Sequence, residues 1–176
     1  MGEPMSDFGF KMMSFLFRFR DIFSPPKSTL QEILIEPGSF ILDFGCGPGS
    51  FSIAASEMVG KEGKVFALDI HPMAIEQVQN RASKMRLTNI ETILSSCETG
   101  LEDSSVDIIL LYDVFHHLKK RYDVKKELYR VLKPDGVLSF SDHHMEEEDI
   151  VSGMTKRGFF KLTRSEEKTY SFIKVW

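Results

Sequence analysis

Tryptophan and cysteine are nearly missing from this sequence, with one Trp and two Cys in 176 residues. The two cysteines, Cys46 and Cys97, give neither zinc-ligand spacing nor a disulfide framework, so a reducing, cytoplasmic setting fits. Basic residues are not in excess: 22 Lys and Arg stand against 26 Asp and Glu, for a net charge of −4. That balance argues against a nucleic-acid-binding surface, which usually makes a domain basic. No apolar run approaches the roughly 20 residues of a membrane span, and no charged segment precedes a clean apolar core at the N-terminus. Neither stable membrane insertion nor a signal peptide is therefore expected. No repeat and no low-complexity tract interrupts the chain. Its length supports one α/β domain with a sizeable core and is short for two.

What is present is organised around Phe40-Ile41-Leu42-Asp43-Phe44-Gly45-Cys46-Gly47-Pro48-Gly49-Ser50-Phe51. The run from Phe40 to Phe44, broken only by Asp43, reads as a buried parallel strand. Glycines then allow a sharp turn and the close approach of a ligand. Phe51, Ala54, Ala55, Met58 and Val59 follow at helical spacing. Strand, glycine turn and helix form the first unit of a nucleotide-binding sheet. The spacing is G-x-G-x-G rather than the G-x-G-x-x-G of dinucleotide sites, and Pro48 stands where the phosphate-binding turn would continue. A carboxylate two residues before the first glycine is a poor neighbour for a pyrophosphate and a good one for an ammonium group. A zwitterion carrying a nucleoside, such as S-adenosylmethionine, has that shape and charge.

Asp43 to Gly49 resembles motif I of the class I S-adenosylmethionine-dependent methyltransferases. Ser105-Val106-Asp107 and Glu127 to Gly136 (E-L-Y-R-V-L-K-P-D-G) extend the resemblance from about residue 37 to the C-terminus. It implies a doubly wound α/β fold with a mostly parallel seven-stranded sheet whose last strand is antiparallel and inserted between its neighbours. It also implies cofactor contacts from Asp43, Gly45, Cys46 and Gly47, and from residues past later strands. Lys64 to Asp69 reads as the second strand and ends in an acid about 20 residues beyond the glycines, where a carboxylate accepts from ribose hydroxyls. The competing role for Asp69 is a helix N-cap, because a helix from Pro72 to Met85 follows. Ile70 would lie against the adenine. After the third strand, Asn89 to Leu94, the family carries an acid and a small residue for the adenine amino group. Here Ser96 and Cys97 hold those places, a departure that leaves Glu98 as another acceptor. Past the fourth strand, Val106 to Leu111, the resemblance sends Tyr112 and Asp113 toward the methionine portion of the cofactor. Leu111-Tyr112-Asp113-Val114 is not the N-P-P-Y-like tetrapeptide of enzymes that methylate base or glutamine amines.

His116 is the candidate base, since an imidazole near the transferred methyl can take a proton from a hydroxyl or thiol. Packing at the next helix, Lys119 to Leu132, is its competing role. Lys133-Pro134-Asp135-Gly136 reads as a turn before a fifth strand, Val137 to Ser141. Asp113 and Asp142, past adjacent strands, raise the question of a metal that lowers the acceptor's pKa; a solvated acidic helix start explains Asp142 and its neighbours equally, and no metal is assigned. Gly158 to Thr163 and Thr169 to Val175 read as a closing hairpin.

Residues 1–36 are expected to form a separate helical segment before the domain at 37–176. Phe8, Met12, Phe15, Phe19 and Phe23 make a helical stripe, ended by Pro25-Pro26. Packing on the sheet, a lid over an apolar substrate, and contact with a membrane interface are the three uses of such a helix. Ser28 with Gln31 fits a capping box for a short helix to Ile35. The expected activity is methyl transfer to a small apolar or amphipathic acceptor. The alternatives are an S-adenosylmethionine-binding protein without transfer and an NAD-dependent oxidoreductase, the latter disfavoured by the glycine spacing. Few residues remain to close over a substrate, and a homodimer is one source of the missing wall.

Overall fold

A computed structural model of the chain describes residues 5–175. Among the described residues one sheet has the strand order β3-β2-β1-β4-β5-β7-β6. Its strands are β1 (Phe40–Phe44), β2 (Lys64–Asp69), β3 (Ile90–Leu94), β4 (Val106–Tyr112), β5 (Leu132–Ser141), β6 (Phe160–Ser165) and β7 (Tyr170–Lys174). The first five pair in parallel, and β7 runs antiparallel to both β5 and β6. The fold is therefore the expected doubly wound α/β sheet with its last strand inserted antiparallel.

Alternation along the strands explains the two-sided core. Leu42, Phe44, Ile109 and Leu111 join one buried cluster with Val124 and Leu128. Ile41, Ile108 and Leu110 join another with Leu30, Ala55 and Val59. Helices α2 (Pro26–Leu30), α3 (Ser50–Val59) and α4 (Pro72–Met85) thus cover one side, with α5 (Arg121–Val131) and α6 (Glu147–Thr155) on the other. No helix forms between β3 and β4, which are joined by a loop. Strands β1 and β4 are neighbours with opposite onward connections, so their carboxyl ends flank the crevice where ligands bind in such sheets.

Three local expectations change. The helix expected at Ser28–Ile35 is α2, which starts at Pro26 without a side-chain cap, and the Ser28 hydroxyl donates to the Pro25 carbonyl at 2.8 Å. Proline preset the first turn and displaced the capping box. The Lys133–Gly136 turn is absorbed into β5 as a bulge: Leu132 pairs with Val106 and Val137 with Ile108. A Cβ on Gly136 would stand 2.9 Å from the Asp107 carbonyl oxygen, so only glycine lets the bulge lie that close to β4. Asp69 is not the N-cap of α4; His71 is, its Nδ1 accepting from the Met73 N–H at 3.2 Å.

The aromatic N-terminal stretch forms α1 (Asp7–Phe23), capped by the Ser6 hydroxyl. It lies across the carboxyl edge of the sheet. Phe10 stacks on His71 at 4.4 Å between ring centroids, and Arg20 donates to Asp113 at 3.1 Å.

Candidate functional site

The glycine loop is built by left-handed backbone. Gly45 and Gly49 both have φ of +83°, and a Cβ on Gly45 would stand 2.7 Å from Val114 Cγ2. Gly49 caps α3 from that conformation. Gly45→Ala is expected to cost about 2–4 kcal/mol, the sum of left-handed strain and overpacking against Val114. A urea unfolding curve checks it; a midpoint equal to that of the unaltered chain would remove the close-approach argument.

The loop is tied to β2 by one carboxylate. Asp69 Oδ2 accepts the Gly47 N–H at 2.8 Å, and Oδ1 accepts the His71 N–H at 2.8 Å. Burial raises the Asp69 pKa, while these two N–H groups pull it down. A carboxylate has about four acceptor sites, so two remain for ligand hydroxyls. Asp43, at the end of β1, is also buried and accepts from the Ser52 hydroxyl at 2.5 Å. Burial pushes its pKa up to about 7, against the pull of Ser52. Cys46 is buried, which drives its thiol well above the ordinary range and leaves it a packing group rather than a nucleophile.

Asp43, Gly45, Cys46, Gly47, Tyr112 and Asp113 line one cleft, with Phe17 and Arg20 of α1 as its cover. The Tyr112 hydroxyl turns inward to Ser139 at 2.7 Å, so this residue offers the cleft its ring, not its oxygen. Asp113 has φ of +52°, a conformation that aspartate tolerates better than most residues. Burial raises its pKa, but His143 and Arg20 outweigh that and hold it below the ordinary carboxylate value. Its Oδ2 meets Arg20, and its Oδ1 meets His143 Nδ1 at 2.8 Å.

The chain then enters a short 3-10 turn, Phe115–His117. His116 Nδ1 lies 2.8 Å from Asp142 Oδ2, and the Asp142 side chain is wholly buried. The His116 N–H also donates to Oδ2, and the His144 N–H to Oδ1. This carboxylate orients the imidazole and leaves Nε2 on its outer side. His117 and His144 rings lie 3.9 and 4.5 Å away, centroid to centroid. Asp113 and Asp142 serve separate histidine partners, and among the described residues no group of three His, Cys, Asp or Glu side chains is placed to hold a metal ion.

Not every expected site residue lines this cleft: Asp69 meets it through the Gly47 N–H, and His116 lies past β4 outside its lining. Ile70 is half-buried past β2, and Ser96 is exposed past β3. Cys97 lines a different and larger cavity, about 800 Å³, against α5. Within that cavity Arg130 pairs with both Glu127 and Asp103. Sequence reading missed Arg20, Asp21, Ser50 and Ser52. Asp21 accepts from the Ser50 hydroxyl, so adjacent residues of α1 tie the helix to both sides of the cleft. The available signal was Arg20-Asp21 as an adjacent charged pair in an otherwise aromatic stretch.

The residues fit S-adenosylmethionine. Asp69 offers acceptor sites to hydroxyls, Asp43 offers a carboxylate to an ammonium, and the glycine backbone leaves the approach free of side chains. On the inner stripe of α1, the buried Ser14 hydroxyl has no partner among the described residues. The space beneath α1 is only about 30 Å³, about one water's volume in the liquid and far less than such a ligand occupies.

Comparison with known proteins agrees. A family model described as a methyltransferase domain matches residues 35–174. A demethylmenaquinone methyltransferase from Oceanobacillus iheyensis is 30% identical over 111 residues, 62% of this chain and 47% of that protein. One from Listeria monocytogenes is 30% identical over 117 residues, 66% of this chain and 49% of that protein. The chain thus spans about half the length of these curated relatives. The crystal structure of a SAM-dependent methyltransferase from Aquifex aeolicus superposes with a TM-score of 0.77 at 27% identity, over 85% of this chain and 89% of that one. A Methanococcus maripaludis structure described as a putative S-adenosyl-L-methionine-dependent methyltransferase shares the fold at 17% identity, with a TM-score of 0.79 over 99% of this chain and 97% of that one. The chain belongs to the class I S-adenosylmethionine-dependent methyltransferase family.

Proposed function

We propose that the chain moves the methyl group of S-adenosylmethionine to a small apolar or amphipathic acceptor bearing an ionisable hydroxyl. The observation that carries this is the tie from Gly47 to Asp69, with Asp43 across the cleft and the His116–Asp142 pair past the next strand. When bound, the cofactor supplies an electrophilic methyl carbon on a sulfonium. The protein's part is alignment and exclusion of water. Asp69 holds the ribose end, Asp43 faces the ammonium end, and α1 covers the cleft as a lid. His116 Nε2 takes the acceptor's proton while Asp142 holds the ring from the other side. Ile70, Ser96 and Cys97 follow the strand ends beside Asp69 and are assigned to the adenine end. The relatives' name, demethylmenaquinone methyltransferase, points to quinone-like acceptors. Among the described residues no helix is long and apolar enough to cross a membrane. With both cysteines free, a cytoplasmic location goes with the reading.

Parallel calorimetric titrations with S-adenosylmethionine, S-adenosylhomocysteine and NAD test it. Micromolar binding of the adenosyl ligands without NAD is the expected result, and NAD alone would replace methyl transfer with hydride transfer. Binding without turnover on any phenolic or quinol acceptor would leave a cofactor-binding protein.

The titration carries a pH signature. Below about pH 7 Asp43 holds a proton, which the ligand's ammonium must expel. Affinity is therefore expected to fall up to about tenfold for each pH unit below that point and to level off above it. Asp43→Asn should flatten the curve; an unchanged slope in that variant would place the titrating group elsewhere.

A further inference from the structure

The inner stripe of α1 is used up by the cleft, but its outer face is bare. Phe8 is 75% exposed, Phe15 67%, Phe19 58%, Ile22 70% and Phe23 77%, with Met12 and Leu16 beside them. From typical side-chain areas the patch is on the order of 700 Å², above the roughly 300–600 Å² of the largest patch on an ordinary monomer. Lys11 and Arg18 stand exposed on the same helix, with no ion pair among the described residues. Asp7 is the exposed acid of α1. Exposed Lys119, Lys120 and Arg121 follow β4, and the exposed acids Glu146 to Glu148 follow β5, past the same carboxyl edge of the sheet.

We propose that the outer face of α1 is a docking surface for an anionic lipid interface, in which the helix lies parallel to the membrane plane with its aromatic side chains inserted. Apolar side chains flanked by cations on one short helix are what such an interface selects, and the helix need not span. A second copy of the chain fits less well. Area does not decide, because about 700 Å² lies within the roughly 600–1,000 Å² per partner of a standard interface, and the charges do. A two-fold contact would bring the Lys11 and Arg18 of each copy toward the same patch. The inference rests on α1 alone and stands apart from methyl transfer.

Vesicle flotation tests it with the full chain, using phosphatidylcholine vesicles with and without 30% phosphatidylglycerol, a composition of roughly physiological anionic content. The expected result is partitioning at least about tenfold stronger onto the anionic vesicles, lost about tenfold or more in Phe15→Gln/Phe19→Gln and weakened by added salt. Both positions are exposed, so the variant should melt and bind S-adenosylmethionine like the unaltered chain without lipid. Equal flotation of chain and variant, or no flotation of either, overturns the proposal. Sedimentation velocity supplies the other arm: a dimer that the double variant dissociates, with no flotation, would assign the face to a second copy. A chain that floats but binds no adenosyl ligand would overturn the proposed function and leave this inference standing.

Discussion

Asp69→Ala is expected to abolish S-adenosylmethionine binding, with at least about a hundredfold loss of affinity, and to destabilise the fold by about 2–4 kcal/mol. The two effects have different sources. In the folded chain the carboxylate receives the Gly47 and His71 N–H groups, each at 2.8 Å, in a position 8% exposed. Alanine strands both donors, and each stranded buried donor costs about 1–3 kcal/mol. The ligand loses charge-assisted acceptors for its hydroxyls, and the glycine loop loses its tie to β2. Asp69→Asn separates the contributions, because the amide oxygen keeps one acceptor while the charge is gone. Its stability should lie between those of the unaltered chain and the alanine variant, with binding still greatly reduced. Unfolding in urea and calorimetry at one pH read both quantities. Wild-type affinity in Asp69→Ala would remove the ribose role outright.

The second large effect falls on turnover. His116→Ala is expected to lower kcat by about 10²–10⁴, the range of a positioned general base, with calorimetric affinity for the cofactor unchanged. Asp142→Asn should approach the same loss by another route. With Asp142 Oδ2 2.8 Å from Nδ1, the aspartate favours the tautomer protonated at Nδ1, leaving Nε2 to accept. An asparagine that presents its NH2 group reverses that preference and puts a hydrogen on Nε2. Added imidazole should restore part of the rate to His116→Ala and little to Asp142→Asn, where the ring still fills the space. A variant lacking His116 that retains full kcat with a hydroxyl acceptor would reduce that residue to a packing role.

The sheet was readable because its signals are local. An apolar run such as Phe40 to Phe44 followed by closely spaced glycines carries strand and turn within a dozen residues, and β2 and β4 are apolar runs of the same kind without the glycines. The inserted antiparallel strand came by resemblance and not from periodicity. The contacts of α1 were unreadable for the opposite reason. Arg20 meets Asp113 across 93 positions, and Asp21 meets Ser50 across 29. Nothing in the neighbourhood of either residue announces the other. Local rules also competed and lost: Pro26 overrode the Ser28 capping box, and His71 took the cap expected of Asp69, whose carboxylate is committed to the Gly47 and His71 N–H groups. Asp142 looked like a solvated acid or half of a metal pair, whereas in the fold its side chain is sealed beneath His116.

The lid role proposed for α1 also bears on how binding is measured. With room for about one water beneath α1, the cofactor competes with the helix for the same volume. The apparent affinity is then the intrinsic affinity multiplied by the fraction of molecules with the lid raised. At about 1% raised, a tight site looks about a hundredfold weaker. Association rates should cease to rise with ligand concentration once lifting becomes the slower step. Whatever holds α1 away from the cleft strengthens cofactor binding by a definite factor, and bound cofactor must strengthen that hold by the same factor.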